Sequence, residues 1–383
     1  MRRITRRQAA LGALAAPSLA AQDAAKPYTG ALDGFESKVR AESFDPVAWT
    51  LDRYKLAPLK LTFRDGSRSQ TETWQKKLRP RIAELLGGFP KERGVLEWRI
   101  LETRDFPTYK REKFVLETRP GVGLLGYLLT PKGRREPHPV VICHPGHGRG
   151  VDDIVGIDDK GRDRTDKSGY QHDFAIQVAE KGMAAVAIEP MAFGCRRDAR
   201  TKKGGLGRSA CQPTAGAALL LGETMIGWRV YDVMRTIDWI ETRRDLDAKR
   251  IGLTGISGGG TITVFSAALD TRIQAAFASG YLCTFRDSIY SLSHCIDNYV
   301  PGILHWAEMY DVAGLIAPRP FFAESGLRDN IFPIHAFRES FAKVKRVYAS
   351  LGAEDNIGQE EFDDEHAWHG VKGIPFLARH LGA

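Results

Sequence analysis

Past residue 21 the chain has no run of roughly 18 uninterrupted apolar residues, which excludes a membrane-crossing helix in that span. It has no low-complexity tract and no collagen-like repeat. At 43% hydrophobic and 27% charged, its 383 residues have the composition of a globular protein with enough chain for a deep core. Cysteine is scarce. The five stand at positions 143, 195, 211, 283 and 295, none in a C-x-x-C spacing, so no metal is expected. A concentrated basic face is also missing. The formal charge of +8 includes Arg2, Arg3, Arg6 and Arg7, and the remaining +4 is mild for this length. No nucleic-acid partner is expected on that balance. The one dense basic run is Arg196, Arg197, Arg200, Lys202, Lys203 and Arg208, broken by glycine. It reads as a solvated loop, or more sharply as a surface that attracts an acidic substrate.

The four N-terminal arginines are followed by an Ala-rich apolar stretch, Ala9 to Ala16, and by small residues at Ser18, Ala20 and Ala21. Thr5-Arg6-Arg7-Gln8 has the form of a twin-arginine signal. Residues 1–21 are therefore read as an export signal, and the product as periplasmic or secreted with no membrane span. The alternative is a cytosolic protein with a basic tail. Export permits disulfides, and Cys195–Cys211 and Cys283–Cys295 are candidate bridges, with the pairing left open by the sequence. Cys143 ends an apolar run and reads as buried and reduced.

Residues 22–108 carry scattered prolines and no strong strand. Thr73–Leu86 looks helical and stops at Gly87-Gly88. This part reads as an N-terminal extension packed on a main domain, 109–383. There, Lys113–Thr118 and Gly123–Leu129 read as strands around Pro120-Gly121. Pro139–Cys143 is wholly apolar, as in a buried central strand. Strands at Met183–Ile188, Arg250–Thr254, Ile273–Ser279, Pro320–Glu324 and Ile357–Phe362 then alternate with helices at His172–Lys181, Ala217–Glu241, Thr261–Leu269 and Ile334–Leu351, and a last helix closes the chain. Such alternation predicts an α/β fold with a mostly parallel, doubly wound sheet and a site where the strands end.

Chemistry concentrates at those ends. Gly255-Ile256-Ser257-Gly258-Gly259 is a G-x-S-x-G sequence between a strand and a helix, where a tight turn needs small neighbours and lifts the serine to the helix N-terminus. A serine hydroxyl needs a histidine to take its proton and a carboxylate to orient the histidine. Asp329 follows the Pro320–Glu324 strand and suits the acid, with Glu324 as rival. His366 and His369 both follow the last strand, and His366 is preferred as base. Gly258 should give one oxyanion N–H. Gly146 or His147, in the loop after Pro139–Cys143, should give the other.

These residues resemble the α/β-hydrolase superfamily over about 109–383, most nearly its dienelactone-hydrolase-like and acetyl xylan esterase-like branch. The resemblance rests on His144-Pro-Gly-His-Gly148, Glu189-Pro-Met-Ala-Phe-Gly194, Gly255-Ile-Ser-Gly-Gly259, Ala317-Pro-Arg-Pro320, Glu324-Ser-Gly326 with Asp329, and His366-Ala-Trp. It implies a Ser–Asp–His mechanism, no cofactor, and ester substrates. Export and the absence of a long apolar lid favour short acyl groups such as acetyl, carried on a small molecule or a carbohydrate. Ser257 departs from dienelactone hydrolases proper, which use cysteine, and so favours an esterase. Pro145 departs from the shorter His-Gly form of the first glycine loop. The competing readings are a serine peptidase of the same fold, for which the extension is too short to form a propeller, and an inactive hydrolase fold used for binding.

Overall fold

The computed structural model describes residues 29–91 and 93–383, so the expected export signal lies outside the described residues. The chain divides into two compact units between Thr50 and Leu51. Up to Thr50 there are turns, two short 3-10 segments and the start of the helix Pro46–Lys55. From Leu51 onward the chain builds one nine-stranded sheet and its helices.

The strands are β1 (Trp98–Asp105), β2 (Tyr109–Arg119), β3 (Val122–Pro131), β4 (His138–His144), β5 (Ala184–Ile188), β6 (Leu246–Ile256), β7 (Ile273–Ser279), β8 (Phe321–Gly326) and β9 (Ile357–Phe362). Their order is β1-β2-β3-β5-β4-β6-β7-β8-β9. β1 to β3 form an antiparallel meander joined antiparallel to β5, and β5 to β9 run parallel through β4, β6, β7 and β8. Central strands are buried on both faces, and their side chains divide by pleat. Val140 and Ile142 of β4 join a core with Ile226, Val230 and Ile237 of the helix Met225–Thr242 and with Phe265 of Gly258–Leu269. Val141 and Cys143 point the other way, toward Phe174 and Val178 of the helix Phe174–Glu180 and Leu377 of Gly373–Leu381.

Several expectations need correction. β1 lies in the stretch expected to hold no strand. Its residues are nearly all exposed, so it lacks the alternating apolar pattern that marks a strand in sequence. The helix Arg68–Leu85 puts Leu78 and Ile82 into the main core and starts five residues before the expected Thr73, capped by Ser67 with Gln70 reaching back. The expected helix Ala217–Glu241 is two helices, Cys211–Leu220 and Met225–Thr242. Gly222 takes φ 74° between them, and Thr224 caps the second by accepting from the Gly227 N–H at 3.0 Å. The basic run is only partly solvated. Arg196 reaches Asp232 at 2.7 Å and the Glu189 carbonyl at 3.0 Å, and Arg197 holds the carbonyls of Gly194, Gly205 and Arg208. Arg200, Lys202, Lys203 and Arg208 are exposed.

Candidate active site

β6 delivers Ser257 on a sharp turn into the helix Gly258–Leu269. Ser257 takes φ 58° and ψ −121°, a conformation L-residues seldom adopt and keep only where their surroundings impose it. Its N–H donates to the Ser279 carbonyl at 3.0 Å, extending the β6–β7 ladder, and its own carbonyl accepts from Thr261 at 2.9 Å to start the helix. The flanking glycines are required by contact. A Cβ on Gly255 would stand 2.6 Å from the Gly259 carbonyl group, and one on Gly259 would fall on the His144 carbonyl oxygen. The pentapeptide thus encodes the close packing of β4, β6 and the helix start. Ser257 is 8% exposed.

Asp329 and His366 meet after β8 and β9. His366 Nδ1 lies 2.7 Å from Asp329 Oδ2, and Asp329 Oδ1 accepts from the N–H groups of Ile331 and Phe332 at 2.8 and 2.9 Å. The imidazole lies between Tyr170 and Phe332, with ring centroids 5.8 and 5.7 Å away. Its Nε2 is buried and without a hydrogen-bond partner. Gly280, next to Ser279, leaves room for the ring: an added Cβ would be 3.0 Å from His366 Cε1. The end of β7 therefore touches both the serine turn and the histidine.

The rival residues form a separate group. Glu324 is fully buried, and its two oxygens accept from the N–H groups of His369 and Gly370 at 3.0 and 2.9 Å. Burial pushes its carboxyl up to about 7 despite those donors. The His369 ring stacks on Phe362 at 4.6 Å, with Nδ1 3.4 Å from Glu360. Glu324 and His369 thus hold the segment that follows His366.

The loop after β4 runs beside Ser257. A Cβ on Gly146 would be 3.0 Å from the Ser257 Cβ and would strike the Tyr170 hydroxyl. The Gly146 N–H is taken by Gln171 Oε1 at 2.8 Å, and the His147 carbonyl accepts from the Tyr170 hydroxyl at 2.7 Å. The His147 ring flanks Gly258, with Nδ1 3.3 Å from where a Cβ there would be. His144 is buried with both ring nitrogens unpartnered, and desolvation, aided by Arg229, pushes it down to about 3, so it is neutral. Glu189, from the segment after β5, accepts from the Val151 N–H at 3.1 Å, and burial pushes its carboxyl up to about 8. Gly150 and Gly194 are both crowded by that carboxyl group, which explains two glycines of the flanking motifs.

All five cysteines are free thiols. The structure brings Cys211 to Cys295 rather than to Cys195, which is exposed, while Cys283 is buried elsewhere. The expected pairings follow proximity in sequence, and the fold joins different segments. Hydrogen bonding with Cys295 pulls the Cys211 thiol down, against burial, with Arg229 helping. Nothing in the sequence singles out Tyr170, Gln171, Phe332 or Gly280. They stand in irregular segments with no motif, and only their loop positions before and after helices hint at a role.

A family model described as the abhydrolase family matches residues 50–359. The chain belongs to the abhydrolase family. Ser257 and Asp329 fall inside the matched span of this abhydrolase and His366 just beyond it. A curated relative from Bacillus subtilis (strain 168), named "Putative hydrolase YtaP", is 27% identical over 288 residues, covering 72% of this chain and 89% of the relative. Two solved structures share the abhydrolase fold. A "putative acetyl xylan esterase" from Bacteroides fragilis NCTC 9343 aligns with TM-score 0.70 and 23% identity, over 82% of this chain and 81% of that one. A glucuronoyl esterase from Solibacter usitatus aligns with TM-score 0.60 and 15% identity, over 85% and 97%.

Proposed function

We propose that this abhydrolase is a serine esterase that hydrolyses carboxylic esters through Ser257, Asp329 and His366. The observation that carries the reading is the state of His366. Nδ1 is committed to Asp329, and Nε2 is buried and unpartnered, at the same C-terminal end of the parallel strands as the Ser257 turn. In this reading His366 Nε2 takes the Ser257 proton as Oγ attacks the ester carbonyl. Asp329 fixes the tautomer and stabilises the imidazolium, and its second oxygen is locked by two backbone donors so that it cannot turn away. The oxyanion forms at the N-terminus of Gly258–Leu269, where the helix dipole favours negative charge. Gly258 supplies one N–H. Because the Gly146 N–H serves Gln171, His147 is the better candidate for the second. His366 then protonates the leaving alcohol, and a water activated by the same nitrogen releases the acid.

The substrate class is drawn from the company the fold keeps, an acetyl xylan esterase and a glucuronoyl esterase by name. It supports an ester on a carbohydrate, and the close approach of Gly146 to Ser257 supports a short acyl group such as acetyl. An exported protein, as the N-terminal sequence suggests, would meet such a substrate outside the cytoplasm, and the chemistry calls for no cofactor. Turnover of short-chain aryl esters and acetylated sugars, together with fluorophosphonate labelling, tests the assignment. Ser257→Ala should abolish both. Undiminished turnover in that variant would overturn the reading, as would a folded wild-type protein that takes no label.

A further inference from the structure

Beside the serine turn, three segments distant in sequence converge on one point. His147 comes from the loop after β4, Cys211 begins the helix Cys211–Leu220, and Cys295 and Asp297 lie in the long segment between β7 and β8. Their donor atoms all lie within 4.8 Å of one another. Cys211 Sγ is 3.7 Å from His147 Nε2 and 3.5 Å from Asp297 Oδ2, and His147 Nε2 is 3.5 Å from the same oxygen. A tetrahedral zinc ion, with bonds of about 2.3 Å to sulfur and about 2.0–2.2 Å to nitrogen and oxygen, sets its ligands roughly 3.3–3.8 Å apart. The three measured edges fall in that range. We propose that His147, Cys211, Cys295 and Asp297 form a four-ligand structural zinc site that ties the loop after β4 to the two segments facing it.

The donor set and its surroundings favour this reading. Two sulfurs and an imidazole select zinc over calcium or magnesium, which prefer oxygen. With both cysteines as thiolates and Asp297 ionised, three negative charges meet a divalent ion and the buried Arg229 guanidinium, and the cluster is neutral. Arg229 supports two of the ligands from behind: Nη1 is 2.5 Å from Asp297 Oδ2 and Nη2 is 3.5 Å from Cys211 Sγ. Asn298 Nδ2 donates to Asp297 Oδ1 at 2.9 Å, which turns Oδ2 toward the cluster. Outer contacts of this kind orient metal ligands. Phe193 packs against the His147 ring at 4.7 Å and its face receives the Arg229 guanidinium, so the pocket is shaped from both sides. The absence of C-x-x-C spacing does not bear on such a site, because its ligands come from three parts of the fold.

The site shares His147 with the proposed oxyanion loop, through its ring rather than its backbone N–H, and is tested without turnover. The full chain, purified without chelator or a histidine tag, should carry about one zinc per chain by elemental analysis. The C295S and D297N variants should each bind zinc more weakly by more than about tenfold, while C195S, which alters an exposed thiol outside the cluster, should keep it. Should C295S or D297N fail to fold, the wild-type protein gives the second measurement. Stripped with a strong chelator and titrated with cobalt(II), it should show thiolate-to-cobalt charge transfer and the visible bands of a tetrahedral ion, saturating at about one equivalent. Folded wild-type protein that holds no zinc and gives no cobalt spectrum would overturn the proposal. So would non-reducing peptide mapping that finds Cys211 and Cys295 joined as a disulfide.

Discussion

Asp329 Oδ2 and His366 Nδ1 lie 2.7 Å apart, while Oδ1 of the same carboxylate is held by two backbone N–H groups. In the proposed mechanism the carboxylate accepts from Nδ1–H, which leaves Nε2 to take the serine proton. Asparagine can present an amide N–H to Nδ1 and select the wrong tautomer. Asp329→Asn should therefore lower kcat by about 10⁴ with little change in KM. Steady-state kinetics on an aryl ester checks this.

The two histidines after β9 separate cleanly by position. His366→Ala should cost as much as Asp329→Asn or more. His369→Ala should cost less than about tenfold, because Glu324 holds the backbone N–H of His369, which alanine retains. Equal losses in the two variants would contradict the assignment of the base.

The glycines of the pentapeptide yield a stability prediction. Gly259→Ala sets a methyl group on the His144 carbonyl oxygen, and backbone on both sides cannot give. A loss of about 2–4 kcal/mol is expected, or failure to fold. Gly216, inside the helix Cys211–Leu220, has open space where its Cβ would be. Gly216→Ala should add about 0.5–1 kcal/mol, since alanine loses less freedom than glycine on entering a helix. Urea unfolding of the two variants beside wild type gives both signs in one experiment.

The contrast between legible and illegible parts follows from what each depends on. β4 and β5 are visible in the sequence because strands buried on both faces need unbroken apolar runs. The pairing of Asp329 with His366 is partly visible because chain order and strand ends limit the choices. β1 is hidden because an exposed edge strand needs no such run, and the break at Gly222 because both flanking helices are apolar enough to read as one. The approach of His147, Cys211, Cys295 and Asp297 is hidden for another reason. It depends on how three irregular segments fold over the sheet, and no local spacing records it. Arg196 and Arg197 look like solvated charge because composition cannot show that Asp232 and four backbone carbonyls await them.

Glu189 links the segments after β4 and β5, and its burial sets a pH dependence. Its carboxyl is raised from the ordinary value of 4.5 to about 8. Between those values the folded protein holds a proton that the unfolded chain releases. Stability is thus fully present below the ordinary value and is lost as pH rises toward 8. A tenfold difference in proton affinity between the folded and unfolded chain corresponds to about 1.4 kcal/mol, so the loss across the window is on the order of a few kcal/mol. Glu324 and Asp311, each raised to about 7 by burial, add to it with the same sign. Glu189→Gln keeps an acceptor for the Val151 N–H and removes the titration. Between about pH 5 and about pH 8, the urea midpoint of wild type should fall relative to that of Glu189→Gln. Parallel midpoints across that range would show that Glu189 is not held protonated in the folded protein, and that Gly150 and Gly194 enclose a carboxylate rather than a carboxylic acid.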